Sequence, residues 1–346
     1  MSAHPHIAVV PGDGIGVDVT AEALKALGAA SDLSGRALTF ETFPWGADHY
    51  LRTGITVPAD GYRSLAEHDA VLVGAFGDPR VPDSRHARDI LLGTRVALDL
   101  YVNHRPVRLL DERLCPLKNR SVEDVDFVVF RENTEGLYAG VGGRFKAGTD
   151  DEVAIQEEIN TYKGVHRIIR HAFEHAVSVG LTKVCMAEGH ALWQRVFREV
   201  ASEYPAVKAR HLYIDTLALL LVQDPSEFEI IVTNNLFGDI ITDLGAALQG
   251  GLGVAASGNL HPGRTSMFEP VHGSAPPLAG KNVANPVGAI LSAAMMLSYL
   301  GRPEEAAVIE KAVRQAVVER HGTKDIGGVL GTTETGDYIA AVIRGS

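Results

Sequence analysis

Short apolar runs that end in polar or glycine-rich residues recur along the chain, separated by longer amphipathic stretches. Six of these runs read as strands: HIAVV from His6, DAVLVGAF from Asp69, VDFVVFREN from Val125, KVCMA from Lys183, ARHLYID from Ala209 and EIIVTNN from Glu229. Unbroken apolar runs of this length, bounded by turn residues, suit strands buried on both faces. Between them, EEINTYKGVHRIIRHAFEHAVS, LWQRVFREVASEY and VGAILSAAMMLSYL carry helical spacing. Strands alternating with helices predict an α/β fold with a largely parallel sheet. Functional loops then gather at the carboxyl ends of strands. PGDGIG, GAFGD, RENTEG and NNLFGD all stand at such ends.

The 346 residues suffice for two domains or one large α/β unit, and 46% hydrophobic content supports a sizeable core. Composition shifts little along the chain and places no domain boundary. A net charge of −11 argues against a nucleic-acid or anionic-membrane surface. Cys115 and Cys185 offer neither a disulfide framework nor zinc-site spacing, which suits a reducing cytosol and a cytoplasmic location. MSAHPHIAVV lacks the pattern of a signal peptide, and no apolar stretch approaches membrane-span length.

PGDGIG (Pro11 to Gly16) follows a strand and opens a helix, where glycines let backbone N–H groups approach an anion. An ordinary tight turn explains it equally well. In NNLFGDIITDLGAAL, Asp239 and Asp243 lie four residues apart at the start of a helix, on one face. Two like charges there suit a hard cation such as Mg²⁺ or Mn²⁺; a solvated acidic cap is the alternative. Asp215 follows another strand and is a possible third carboxylate. Arg95, Arg105 and Arg131 stand at run ends, the last followed by Tyr138, and arginines so placed suit bidentate carboxylate binding. The stretch from Glu269 to Pro286 is too rich in Gly, Pro and Ala for a helix, and its backbone suits wrapping a flat ligand or a plain surface connection.

Taken together, PGDGIG, the Arg95/Arg105 run, RENTEGLY, NNLFGDIITD and EPVHGSAP…ANP resemble the isocitrate/isopropylmalate dehydrogenase family of metal-dependent β-decarboxylating dehydrogenases. The resemblance implies a two-domain α/β fold that is not a Rossmann domain. Residues 1–99 and 251–346 would form a cofactor-side domain, and residues 100–250 a central domain with metal ligands and dimer contacts. It also implies a homodimer with shared active sites. Arg95, Arg105 and Arg131 would bind the malate-type carboxylate. Asp239 and Asp243 would ligate Mg²⁺ or Mn²⁺ together with Asp215 of the partner. Tyr138 would be the acid that protonates the enol after decarboxylation. His272, Gly273, Ser274 and Asn285 would bind adenosine, with Glu269 beside the nicotinamide.

The substrate's variable group would be read by the helix before Arg95. Leu91 and Leu92 resemble the apolar pair that contacts an isopropyl group, which makes 3-isopropylmalate the first expectation. Arg80, Arg85, His86 and Arg88 crowd the same stretch. They are either solvated surface charges or a means, Arg88 above all, of reading a second anionic group, as in isocitrate, homoisocitrate or a phosphonate analogue. RENTEGLYAGVGGR also resembles tartrate and D-malate dehydrogenases. Pro277 and Leu278 follow HGSAP, where enzymes of the family that use NADP tend to carry a basic residue, so NAD is expected.

One segment departs from the pattern. The family's counterpart of KVCMA runs into an Asp-Lys-small-Asn stretch whose lysine is the base or orients it. Here Ala187 is followed at once by Glu188-Gly189-His190, and about six residues, a turn and a half of helix, are absent. Intact flanks on both sides favour a segment missing from the sequence as written over a real deletion. A real deletion would resemble the family's non-catalytic regulatory subunits.

Overall fold

The computed structural model describes residues 4–346; the first three residues, where the segment read as lacking a leader begins, lie outside the described residues. The chain opens with β1 (His6–Gly12), α1 (Ile15–Ser34), β2 (Thr39–Thr42), α2 (Ala47–Thr53), α3 (Gly61–Ala66), β3 (Ala70–Ala75), α4 (Arg85–Ala97) and β4 (Val102–Arg108). Its middle forms β5 (Asp126–Glu132), β6 (Gly142–Phe145), β7 (Val153–Gln156), α5 (Tyr162–Val179), β8 (Lys183–Ala187) and α6 (Ala191–Ala201). There follow β9 (Lys208–Leu212), α7 (Ile214–Gln223), β10 (Ile230–Thr233) and α8 (Asn235–Gln249). The chain ends with β11 (Ala256–Leu260), β12 (Ser266–Pro270), α9 (Val287–Tyr299), α10 (Pro303–Val318) and α11 (Thr332–Arg344).

Two compact units result. One comprises Met1–Leu100, Pro106–Val125 and Ala246–Ser346; the other comprises Tyr101–Arg105 and Asp126–Gly245. In the first, β1 pairs in parallel with β2 and β3, β3 in parallel with β12, and β12 antiparallel with β11. Every residue of β3 is buried, as its unbroken AVLVGA run predicts. Helix α1 packs on α9 and α11 through an alanine-rich face (Ala23, Ala26, Ala29 and Ala30), whose small side chains permit close approach.

In the second unit β5, β10, β8 and β9 are all parallel, with Ile231 opposite both Val129 and Cys185. Helix α5 covers β5, β10 and β8 with Val165, Ile168, Ile169, Ala172, Phe173 and Ala176, an apolar face at intervals of three and four. It starts at Tyr162, five residues later than its helical pattern, because Thr161 accepts a hydrogen bond from the Gly164 N–H at 3.0 Å and caps it. β9 stops at Leu212, so Asp215 lies in the first turn of α7. β2, β4, β6, β7, β11 and β12 escaped the sequence reading: β2, β6 and β7 are exposed, and β11 contains Gly and Asn. Among the described residues, no helix is long and apolar enough to cross a membrane.

Candidate active site

In the central unit, Asp239 is the hub of a cluster that collects Arg105 from β4, Arg131 from β5 and Tyr138 from the loop after β5. Arg131 is buried; its Nε donates to Asn235 Oδ1 at 2.9 Å and its Nη1 to Asp239 Oδ1. Arg105 donates from Nη1 to Thr242 Oγ1 at 2.5 Å and lies 3.5 Å from the same Asp239 oxygen. The Tyr138 hydroxyl donates to Asp239 Oδ2 at 3.0 Å, and the Arg131 guanidinium sits 5.6 Å from the Tyr138 ring centre. The residue at 238 must be glycine, because a Cβ there would meet the Arg131 side chain at 2.5 Å.

Two guanidiniums around one carboxylate leave net positive charge, the condition for binding an acid. Burial pushes the Asp239 carboxyl up, but Arg131 and Arg105 outweigh it and hold the group below the usual range. Burial first, then the Asp239 charge, raises Tyr138, so it stays protonated at neutral pH. Asn235 and Thr242 hold the arginines in place. Sequence reasoning missed both, although NNLFGD and IITD contain them.

Helix α8 begins at Asn235, which puts Asp239 in its second turn and Asp243 one turn further. The helix dipole therefore acts on them less than a helix-start position implies. Asp239 is half-buried and Asp243 exposed. Asp215 is exposed too, and its Oδ1 accepts from the Thr216 N–H at 2.7 Å. Among the described residues no three-donor group within one chain unites Asp215, Asp239 and Asp243. What the chain offers on one face of α8 is a pair of hard oxygen donors, which fits Mg²⁺ or Mn²⁺ completed by water, substrate or another chain.

In the first unit, Arg95 donates from Nη2 to Glu269 Oε1 at 2.9 Å, and Asn259 donates to the same oxygen at 2.8 Å. Leu91, with Ala87 and Leu98, packs against the core of Val10, Ile90, Leu100 and Met267. Leu92 is half-buried too, and both leucines stand three or four residues from exposed Arg88 and from Arg95. Leu91 is the one of the two packed against that core. The surface reading holds for Arg80, which is bound by Asp48 and Asp78 at 2.7 and 2.6 Å, and for Arg85, 3.5 Å from Asp83. His86 is fully buried, 2.8 Å from Asp13. Arg88 lies 3.5 Å from Asp89 and is otherwise solvated.

PGDGIG proves to be a tight turn packed by its neighbours. Asp13 accepts from the Ala47 N–H at 2.6 Å and the Gly77 N–H at 3.0 Å, and a Cβ on Gly14 would meet the Ser274 carbonyl at 2.1 Å. Ser274 donates to the Gly77 carbonyl at 2.6 Å. Asn285 donates to Asp325 at 2.9 Å and accepts from the Val287 N–H at 3.0 Å. Both shape the loop between β12 and α9. His272 Nδ1 is 3.0 Å from the Gly273 carbonyl, its Nε2 is buried without a partner, and burial lowers its pKa. Gly273 is exposed, with open space around its Cβ position. An orphaned ring nitrogen beside an open backbone fits a bound adenosine.

At the end of β8 the chain is continuous: residues 187 and 188 are consecutive in the full sequence. The expectation of an omitted segment is corrected. β8 stays in register with β9 through Ala187, Thr233 donates to the Ala187 carbonyl at 2.6 Å, and α6 starts at Ala191 with the buried Trp193 in its first turn. Three residues close strand to helix with both flanks intact. Lys183, at the other end of β8, lies 3.5 Å from Glu229.

An α/β fold with clustered arginines, carboxylates and a loop rich in Gly and Pro suits a dehydrogenase of hydroxy acids. A family model described as isocitrate/isopropylmalate dehydrogenase matches residues 6–342, and the chain belongs to that family. It is 46% identical to a 3-isopropylmalate dehydrogenase of Thermobifida fusca, over 96% of both chains. It is 47% identical to one of Rhodococcus erythropolis, over 97% of this chain and 99% of that one. An isocitrate dehydrogenase crystal structure from Methylococcus capsulatus superposes with a TM-score of 0.88 at 34% identity, covering 99% of each chain.

Proposed function

We propose that the protein oxidises and decarboxylates 3-isopropylmalate, with NAD as hydride acceptor and Mg²⁺ or Mn²⁺ at Asp239, Asp243 and the partner subunit's Asp215. The observation that carries this reading is near-half identity over almost the whole chain to proteins named for that reaction. Arg105 and Arg131, with Arg95, bind the substrate's carboxylates. Leu92 contacts the isopropyl group, with Leu91 behind it in the core and Arg88 at its exposed edge. When bound, the metal would supply Lewis-acid polarisation of the substrate's C2 hydroxyl and NAD a hydride acceptor for C2, while the hydroxyl proton would leave to water. The C3–carboxylate bond then breaks, CO₂ leaves, and C3 must gain a proton. Tyr138, kept protonated by burial and by Asp239, holds that proton at its hydroxyl. Asp239 anchors Tyr138 and both arginines, so its loss removes orientation as well as charge. His272, Gly273, Ser274 and Asn285 hold the adenosine, with Glu269 on the nicotinamide side. Pro277 and Leu278 offer no charge to a 2′-phosphate, which favours NAD.

The shortened join supports one rival reading, a non-catalytic chain that binds the same ligands. Reduced nicotinamide is to be followed with Mn²⁺ or Mg²⁺ on 3-isopropylmalate, isocitrate, homoisocitrate, tartrate, D-malate and a phosphonate analogue. Turnover highest on 3-isopropylmalate with NAD is expected. Ligand binding without turnover on any substrate would establish the rival.

A further inference from the structure

The join between β8 and α6 gathers a donor set that the reaction does not use. Glu158, Glu188 and His190 each place a ligand atom within 4.8 Å of the others. Glu188 is 2% exposed, and its Oε2 is buried with no hydrogen-bond partner. Its Oε1 is fixed by the Gly189 and His190 N–H groups at 2.7 and 3.1 Å, which locks the carboxylate plane. His190 Nδ1 is 3.8 Å from that oxygen. We propose that Glu158, Glu188 and His190 form a binding site for a divalent transition metal in the central unit.

The chemistry selects the ion class. One imidazole nitrogen with two carboxylates suits Zn²⁺, Co²⁺ or Mn²⁺ better than Mg²⁺. Tetrahedral ligands at ordinary zinc distances stand roughly 3.3 Å apart. His190 Nδ1 is 3.8 Å from Glu188 Oε1, so that pair closes by roughly 0.5 Å on binding. The surrounding groups orient the ligands. Asn160 Nδ2 lies 3.3 Å from Glu158 Oε1 and 3.2 Å from His190 Nδ1, where a metal takes the place of the Asn160 contact, and Asn160 Oδ1 accepts from the indole of buried Trp193 at 2.9 Å. Asn234 donates to Glu158 Oε1 at 2.8 Å. Such outer contacts are what fix metal ligands in place.

Two carboxylates this close repel each other unless a proton or a cation lies between them. Burial raises the Glu188 pKa, and the Glu158 charge adds to the rise. The N-terminal end of α6 opposes a cation, but with roughly half a charge against two. The short join matters here, because it puts Glu188 and His190 two residues apart at a rigid strand end.

The test is calorimetric titration of the full chain with Zn²⁺, alongside Co²⁺ absorption as a reporter of an imidazole-carboxylate shell. The variants are Glu188→Gln, His190→Ala and the double change Asp239→Asn/Asp243→Asn. Glu188→Gln and His190→Ala are expected to weaken one class of Zn²⁺ site at least tenfold and to bleach the Co²⁺ band. The α8 double variant is expected to keep that class. Without metal, Glu188→Gln is expected to melt no lower than the parent, since it removes a repulsion, and to lose the Zn²⁺-induced rise in Tm. His190 is half-exposed, so its variant serves even if Glu188→Gln does not fold. Zn²⁺ binding unchanged in both single variants, or abolished by the α8 double variant, overturns the proposal. No step of the titration depends on the dehydrogenase reading.

Discussion

Leu91 and Leu92 are neighbours in sequence, but a helix turns successive residues by about 100° and gives them different surroundings. Leu91 packs on the core cluster, while Leu92 is half-buried outside it, three residues before Arg95. Leu91→Ala is therefore expected to cost roughly 1–2 kcal/mol, less than a fully buried leucine, and to lower Tm with little change in substrate preference. Leu92→Ala is expected to leave Tm nearly unchanged and to lower kcat/KM for 3-isopropylmalate about tenfold relative to D-malate, the scale of a lost apolar contact. Equal losses on the two substrates would remove Leu92 from the specificity role. The charged and hydroxylic groups of the site were legible because Arg, Asp and Tyr at strand ends are chemically distinctive. Thr242 and Asn235 were not, since a threonine or an asparagine says nothing until its partner is known.

Among the elements, α5 and its strands carry a second consequence. His171 meets the ring of Phe130 edge-on at 4.9 Å and stacks on His175 at 6.5 Å, and His104 and Phe130 also pack on His175. Burial, then the His175 charge, lowers His171 to about 4. An unfolded histidine titrates near 6.5. The folded pKa is the lower one, so the unfolded chain binds the proton first. The contribution is whole above about 6.5 and is lost as pH falls toward 4. His171→Phe, which keeps a ring in place, is expected to shift acid unfolding to lower pH, read as Tm at a series of pH values; an unchanged acid limb refutes it. The long buried elements β3, β5, β8, β10 and α9 were legible because unbroken apolar runs leave few alternatives. The hairpin strands β6 and β7 were not, because GGRF and VAIQ bury nothing within the chain.

That hairpin bears on the whole molecule. Phe145 is 63% exposed, Val153 50% and Ile155 42%, a density of apolar surface that marks an interaction site. The proposed homodimer would cover it, and Phe145→Asp is expected to halve the mass measured by light scattering. The parallel α/β class was legible from alternation alone, but oligomeric state was not, because one chain's periodicity cannot name what covers an exposed face. A sharper prediction follows from the carboxylates. Asp243 lies on α8 and Asp215 in the first turn of α7, and no three-donor group unites them with Asp239 among the described residues of one chain. If Asp215 serves the partner's site, Asp215→Asn and Asp243→Asn homodimers are both inactive. A mixed dimer then contains one site with all its carboxylates intact: Asp239 and Asp243 from the first variant, Asp215 from the second. Random pairing makes half the dimers mixed, each with one of two sites complete, so co-expression should restore about a quarter of the parent activity. Adding Phe145→Asp to both chains should abolish the restoration while each chain stays folded. If the mixture stays as inactive as the separate variants, each site draws its carboxylates from a single chain.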